Sequence, residues 1–398
     1  MAQQPKALTW EEVKQRLETT NPNLIAGKLN IDEARANEVT AYLRPNPSFA
    51  VSFDQIQPFT PDPYRPFTNL FIAYSASYLH ERRNKRELRL DSAKGATDIA
   101  QSQQDDLERN LLYTLRNAFV QSLQAKAVQQ LVNNNLSYYD NVLGVSRERF
   151  RAGDIARIDL DRLVLQRVQF ETDVQNAIVA LRTAKIQLLM LLNDRTPVDQ
   201  FDVTGTFDFK DEPLALAQFH SLALSSRPDL RAAVQAVDKA KVDHDLAVSN
   251  GSTDPVFGTD FGRNPPLDAY IGFNVSIPLR IFDRNQGEKQ RTALDITRNE
   301  RLRDAAEAQV YNDVDSAFAT LSGNLALLRV YKSDYLDTAV RVRDTVSFSY
   351  QRGGASLLDF LQAQQDYRSV ELGYLNLVGS YLVSANQLNF AVGTEVLH

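Results

Sequence analysis

Cysteine is absent from the chain. That absence removes disulfides, thiolate metal sites, Cys nucleophiles and an N-terminal lipidated Cys from consideration. Histidine is scarce, and His80, His220, His244 and His398 are scattered without metal-ligand spacing. With one internal Met, Met190, there is no soft-metal relay either. Neither sign of charge dominates: 44 basic against 50 acidic side chains give a net charge of -6, and no basic block offers a footprint for nucleic acid. No apolar run approaches the ~18–20 residues of a membrane-spanning helix. Met1-Ala2-Gln3-Gln4-Pro5 opens without an apolar h-region, so no signal peptide is read there; a mature exported chain given a start Met and a cytoplasmic protein both look like this. A phosphate loop and a Gly-x-Ser-x-Gly elbow are both missing, so the chain is not read as an enzyme and no cofactor is expected.

Proline and glycine are sparse, and their placement maps the chain. No proline lies between Pro66 and Pro197, or after Pro278, leaving proline-free tracts of 130 and 120 residues. Proline disrupts helix interiors by ~3 kcal/mol, so such tracts suit long helices. Gly144 and Gly153 near the middle of the first, and Gly353-Gly354 in the second, predict two long helices per tract joined at a glycine turn. Leu111, Ala118, Ala125, Val132 and Tyr139 recur every seven residues, and Leu163, Phe170, Ala177, Ala184 and Leu191 repeat the spacing on the returning helix. Small residues at this seam suit close antiparallel packing.

The sequence also repeats itself. Phe150 to Asp159 aligns without a gap on Tyr350 to Asp359, and Asn21-Pro22-Asn23-Leu24 matches Arg227-Pro228-Asp229-Leu230. Residues 1–210 and 211–398 are therefore expected to be two copies of one unit, the first opening with a capping box, Thr9 to Glu12, and a Leu8/Val13 hydrophobic staple. Between each opening helix and the long hairpin the period changes to two. Phe49, Val51 and Phe53, then Ile72 and Tyr74, then Ile271, Phe273, Val275 and Ile277 alternate with small or polar residues. Barrel strands are expected within 48–80 and 256–281. The alternation suits a transmembrane barrel or a half-buried soluble sheet.

Three features now carry a resemblance: Leu8-Thr9-Trp10-Glu11-Glu12 with Asn21-Pro22; the repeated Gly-x5-Asp tips at Gly153/Asp159 and Gly353/Asp359; and Val275 to Glu288, reading VSIPLRIFDRNQGE. Together they make the chain similar to the outer-membrane efflux protein family, the TolC-like trimeric ducts, and most similar to its cobalt–zinc–cadmium branch. The resemblance implies a mostly α fold with a transmembrane β part. Each protomer would give four strands to a 12-stranded trimeric β-barrel and long helical hairpins to an α-barrel. It further implies a passive outer-membrane duct that reaches into the periplasm as the exit of a tripartite efflux pump. The partners implied are two further copies of the chain, a periplasmic adaptor, an inner-membrane transporter of the resistance–nodulation–division type and outer-membrane lipid. Residues 194–213 match the equatorial belt. Pro58, Pro61, Pro63 and Pro66, and Gly262 to Pro266, would be extracellular turns. A protein-secretion or drug-efflux duct of the same fold, or a soluble coiled-coil structural protein, are the alternatives.

The resemblance places Asp359 on a pore ring, with Gln362 where some members carry a second acid. Asp159 is its repeat partner. Both acids fit a constriction, and both also fit a first-turn helix acid favoured by the macrodipole; their recurrence in both repeats favours the constriction. Tyr350 is expected to bond Asp159 as a latch, and Ala355, basic in some members, argues against a salt-bridged one. Arg151, Ala152, Gly153 and Asp154, with Arg352, Gly353 and Gly354, lie where the family's tips take up the adaptor, or are simply helix turns. Tyr367, Tyr374 and Tyr381 read as core packing rather than a substrate track. Asp254 and Asp260 read as a solvated loop rather than a Ca²⁺ site.

Overall fold

The computed structural model describes residues 7–59, 63–67, 70–211, 215–264 and 267–397. Strand β1 (Ala7–Leu8) leads into α1 (Trp10–Thr20) and α2 (Pro22–Tyr42), then β2 (Ser48–Asp54), β3 (Phe71–Leu79), and helices α3 (Lys85–Arg151) and α4 (Arg157–Leu191). The order then recurs: β4 (Asp202–Val203), α5 (Leu216–Ser226), α6 (Pro228–Asn250), β5 (Val256–Asn264), β6 (Leu267–Ser276), α7 (Gln286–Val330), α8 (Leu336–Gln351) and α9 (Leu357–Val392). At 1.5 Å per residue, α3 is about 100 Å long. Among the described residues no helix is long and apolar enough to cross a membrane.

The residues gather into two compact units, each drawing on both halves of the chain. The first comprises Met1–Gly27, Gln104–Pro228 and Glu307–His398. Its N-terminal helix begins as the local chemistry dictates. Thr9 Oγ1 accepts from Glu12 N at 3.4 Å while Glu12 Oε2 accepts from Thr9 N at 3.0 Å, closing the capping box. Leu8 and Val13 enter one buried cluster with Leu17, Leu115, Phe119, Leu188, Phe201 and Val203. Strand β1 pairs in parallel with β4, matching Leu8 to Val203, a contact the sequence does not announce. Lys126 and Lys185 clamp Asp202 beside it, at 2.7 and 3.1 Å.

The repeat is visible in matching bonds. Thr20 Oγ1 donates to Leu192 O at 2.9 Å, and Ser226 Oγ donates to Val392 O at 2.7 Å. Asn193 and Gly393 both follow their helices with left-handed backbone, φ 50° and 84°. One expectation is corrected here. The second hairpin's first arm is not a single α-helix, because a π-helical turn, Tyr331–Tyr335, separates α7 from α8. At this wider turn Lys332 lies over the Phe209 ring at 4.8 Å, and just before it, in the last turn of α7, Arg329 pairs with Asp211. Pro213 of the expected equatorial belt lies outside the described residues.

The second unit comprises Lys28–Gln103 and Asp229–Ala306. Its centre is a four-stranded antiparallel sheet in the order β2-β3-β5-β6. Val51 faces Tyr74, Tyr74 faces Phe261 and Phe261 faces Ile271 across successive strands. Because residues opposite one another share a face, Phe49, Val51, Phe53, Ile72, Tyr74, Ile271, Phe273 and Val275 all lie on one side, joined by Tyr78, Phe257 and Phe261. Ser48, Ser52, Ser75, Ser77, Asp260 and Asn274 lie on the other. Ile277 is a correction: β6 ends at Ser276, because Pro278 has no N–H to donate to a ladder. Gly262, Arg263 and Asn264 belong to β5 rather than to a turn. Pro61, Pro265 and Pro266 lie outside the described residues.

Asp254 is not a solvated loop acid. Its Oδ2 accepts from Lys85 Nζ at 2.5 Å and its Oδ1 from Arg82 N at 3.0 Å, with Lys85 only 4% exposed. Lys85 also donates to Ser252 O at 3.0 Å. This knot fixes the chain where β3 passes into α3. Asp254→Asn keeps the shape but removes the charge opposite a buried ammonium, and hydrogen bonds to charged groups are each worth ~1.5–3 kcal/mol. A lower thermal midpoint in detergent is the expected result, and an unchanged midpoint refutes the knot's role.

Candidate aperture and docking tip

The two hairpin turns are built alike. Gly153 and Gly353 adopt left-handed backbone, φ 82° and 77°. Asp154 N donates to Arg149 O at 2.9 Å and Gly354 N to Ser349 O at 2.8 Å; Gly153 N donates to Phe150 O and Gly353 N to Tyr350 O, both at 3.1 Å or less. These paired bonds close a helix with a glycine at the first position beyond its cap, where a Cβ would be strained. A Cβ on Gly153 would meet no atom within 4 Å, and one on Gly353 only Arg149 Nη2 at 3.6 Å. Arg151, Ala152, Asp154, Arg352 and Gly354 are exposed around them. The turns thus present bare backbone.

The acids that follow differ in their surroundings. Asp359 completes a capping box at the start of α9: Ser356 Oγ and Ser356 N donate to Asp359 Oδ2 at 2.7 and 3.1 Å, and Asp359 N donates back to Ser356 Oγ at 3.2 Å. The Ser356 hydroxyl and backbone bonds hold its exposed carboxyl below the usual range. Asp159 starts α4, where Ala156 provides no side-chain cap, and its nearest cation is Arg162 at 3.9 Å. Gln362 donates to Asp366 at 2.8 Å.

Tyr350 corrects the latch expectation. Its ring is 4% exposed and stacks on Phe360 at 4.9 Å, within a core of Tyr139, Leu143, Leu163 and Phe170. Its hydroxyl has no hydrogen-bond partner among the described residues, so no bond to Asp159 forms. A flat aromatic ring facing another ring is held by packing, which the spacing of Tyr350 and Asp159 along the chain does not reveal. At this level Arg149 bonds across the two hairpins, its Nη1 donating to Tyr350 O at 2.6 Å. Sequence reasoning missed this residue; an arginine one turn before the tip is an ordinary C-terminal cation on α3. Burying an orphan hydroxyl costs roughly 1–3 kcal/mol. Tyr350→Phe is therefore expected to match or raise the wild-type thermal midpoint in detergent, and a clear loss of stability refutes this packing role.

On α9 Tyr381 is buried and donates to Lys210 O at 2.8 Å, whereas Tyr367, under Arg343 at 4.0 Å, and Tyr374 are half-buried. Among the described residues no group of three or more His, Asp or Glu side chains is arranged to hold a metal ion.

Residues 220–394 match the family model described as outer membrane efflux protein. Over nearly its whole length the chain is similar to the cobalt-zinc-cadmium resistance protein CzcC of Cupriavidus metallidurans, with 24% identity across 97% of this chain and 90% of that one. The fold is shared with the CusC channel, at TM-score 0.81 and 15% identity over 98% of this chain and 93% of that one. The CmeC outer membrane channel of Campylobacter jejuni matches at TM-score 0.79 and 12% identity, covering 98% and 87%. The MtrE outer membrane channel of Neisseria gonorrhoeae, in its open state, matches at 0.78 and 16%, covering 97% and 89%. With a family-model match over residues 220–394 and this fold throughout, the chain is similar to the outer membrane efflux proteins in its second half and shares the fold of their channels over nearly its whole length.

Proposed function

We propose that the chain is the outer-membrane duct of a tripartite efflux pump, assembled as a trimer and opened at its tip by a periplasmic adaptor. The observation that carries this is the four-stranded sheet. One face is largely apolar and exposed from β2 to β6, with Phe273 81% exposed, and the other is mostly small and polar, with a Phe71–Tyr270 stack at one end and Leu79 and Val256 at the other. The two outer strands, β2 and β6, keep unpaired edges in the protomer. Edges in lipid cost several kcal/mol per orphan backbone group, so three copies closing one barrel satisfy both the face and the edges. The alternative of a soluble coiled-coil protein leaves the apolar face uncovered. Extraction is the test. The duct partitions with the outer-membrane fraction, needs detergent, and runs at about three times 44.8 kDa; a detergent-free soluble monomer refutes it.

The proposed partners beyond the trimer are the adaptor at the Gly153 and Gly353 turns and an inner-membrane transporter of the resistance–nodulation–division type. Likeness to a cobalt-zinc-cadmium resistance protein supports heavy-metal cations as the cargo. The two repeats, with tips at 153 and 353, are proposed to dock several adaptor hairpins in the same way.

Three Asp359 carboxylates in a narrow mouth would attract cations, and low-dielectric walls focus such a field. Asp359→Asn keeps an acceptor for the Ser356 bonds while removing the charge, so it separates the ring from the cap. Cation selectivity in planar bilayers is expected to fall, most at low ionic strength; unchanged selectivity removes the acidic ring. Because the folded carboxyl lies below its ordinary value of about 3.9, its charge and its capping stability persist above that value. Both are lost as the pH falls through the lowered value.

A further inference from the structure

The end of the sheet that joins the helices carries a feature the duct itself does not need. The registers place Ser48, Leu79, Val256 and Ser276 at that end. The ladder of β6 stops there, yet its apolar alternation continues: Ile277, Leu279 and Ile281 extend the series Ile271, Phe273 and Val275, and all three are exposed. Leu279 is 80% exposed and Phe282, next in line, 90%. Leaving large apolar side chains bare on a segment outside the sheet is unfavourable unless something covers them.

Cations follow or precede the strands along this end of the sheet, from the β2 edge to the β6 edge. Arg280 and Arg284 lie four and eight residues beyond Ser276, Arg83 four beyond Leu79, and Arg44 four before Ser48. Arg83, Arg280 and Arg284 make no side-chain ion pair or hydrogen bond among the described residues, while Arg44 lies in the field of Glu87, which itself pairs with Arg86. Their neighbours are all engaged: Arg82 with Thr253, Lys85 with Asp254, Arg86 with Glu87 and Arg89 with Glu81. Exposed apolar side chains beside unpaired cations are the composition that settles at a boundary between acyl chains and anionic headgroups. Planar guanidinium also grips phosphate oxygens in pairs.

We infer that the helix-side rim of the sheet is a collar for anionic phospholipid. Arg44, Arg83, Arg280 and Arg284 hold the phosphate groups, while Leu279, Ile281 and Phe282 enter the adjoining acyl layer. The inference rests on reading the sheet as part of a membrane barrel, because the apolar series on the rim continues that barrel's outward face. It commits to lipid; a neighbouring protomer covering the segment is the competing outcome.

Two measurements test it on the purified full-length assembly. Native mass spectrometry of protein mixed with equal phosphatidylglycerol and phosphatidylcholine should show several-fold more phosphatidylglycerol retained, falling to near parity in Arg280→Gln/Arg284→Gln. Equal retention in the wild type, or an unchanged preference in the double variant, overturns the collar. In vesicles with brominated acyl chains, Phe282→Trp should be quenched most by bromines near the headgroup, measured against the wild-type signal of the single Trp10. Phe273→Trp reports separately on the barrel face and should be quenched most by deep bromines. If Phe273→Trp is quenched and Phe282→Trp is not, a protomer covers the rim and the collar fails alone. If neither is quenched, the barrel reading itself fails.

Discussion

Phe273→Arg and Ile72→Arg are expected to deplete the outer membrane of assembled trimer, while Asn274→Arg and Ser75→Arg leave it in place. The register makes the comparison sharp. Phe273 and Asn274 are adjacent on β6, yet they point to opposite faces, Phe273 opposite Thr259 and Asn274 opposite Gly258. Arginine at mid-bilayer on a lipid face costs ~2–4 kcal/mol, and a trimer carries the substitution three times. On the polar face the Asn274 side chain lies across Gly258, where an added Cβ would come within 2.6 Å of Asn274 Oδ1. A longer side chain there has the barrel lumen to enter. The measurement is the amount of heat-modifiable trimer in the outer-membrane fraction. Equal amounts for the two sets would reverse or abolish the assigned faces.

The same register shows what the amino-acid order makes legible and what it does not. Features set by near neighbours read directly. The Thr9–Glu12 box, the left-handed glycines at 153 and 353, and the alternation along β3 all follow from spacing over a few residues. The recurring tip motif extends that legibility across half the chain, because a glycine at the same place in each repeat forms the same left-handed turn. Partners brought together by the fold are not legible in this way. Lys85 finding Asp254, Leu8 pairing with Val203, and Arg149 bonding Tyr350 O each need a contact between distant segments. Tyr350 is the instructive failure. Its ring and hydroxyl fit either a latch or a core, and only the stack on Phe360 decides between them. The π-helical turn at Tyr331 likewise leaves no proline or glycine as a marker.

Replacing Gly153 with Phe should abolish efflux without dissolving the trimer. The backbone there is left-handed, so any L side chain costs roughly 1–2 kcal/mol, but its Cβ enters open space and displaces no neighbouring atom. That strain falls on one exposed turn, whereas the core beneath it, from Tyr139 to Phe360, is untouched. Gly153→Asn supplies the control, because asparagine tolerates left-handed backbone and adds little bulk. If the adaptor rests directly on this backbone, Phe blocks export and adaptor cross-linking while Asn retains a substantial part of both. Gly353→Phe should behave in the same way, since the second turn repeats the bonds of the first. Should the Phe variants pump normally, the tips are not the docking surface. Should Asn and Phe both lose the trimer, the glycines serve only to turn the chain. Intact trimers that bind no adaptor in the Phe variants, beside Asn variants that do, assign the site to the bare backbone of these two turns.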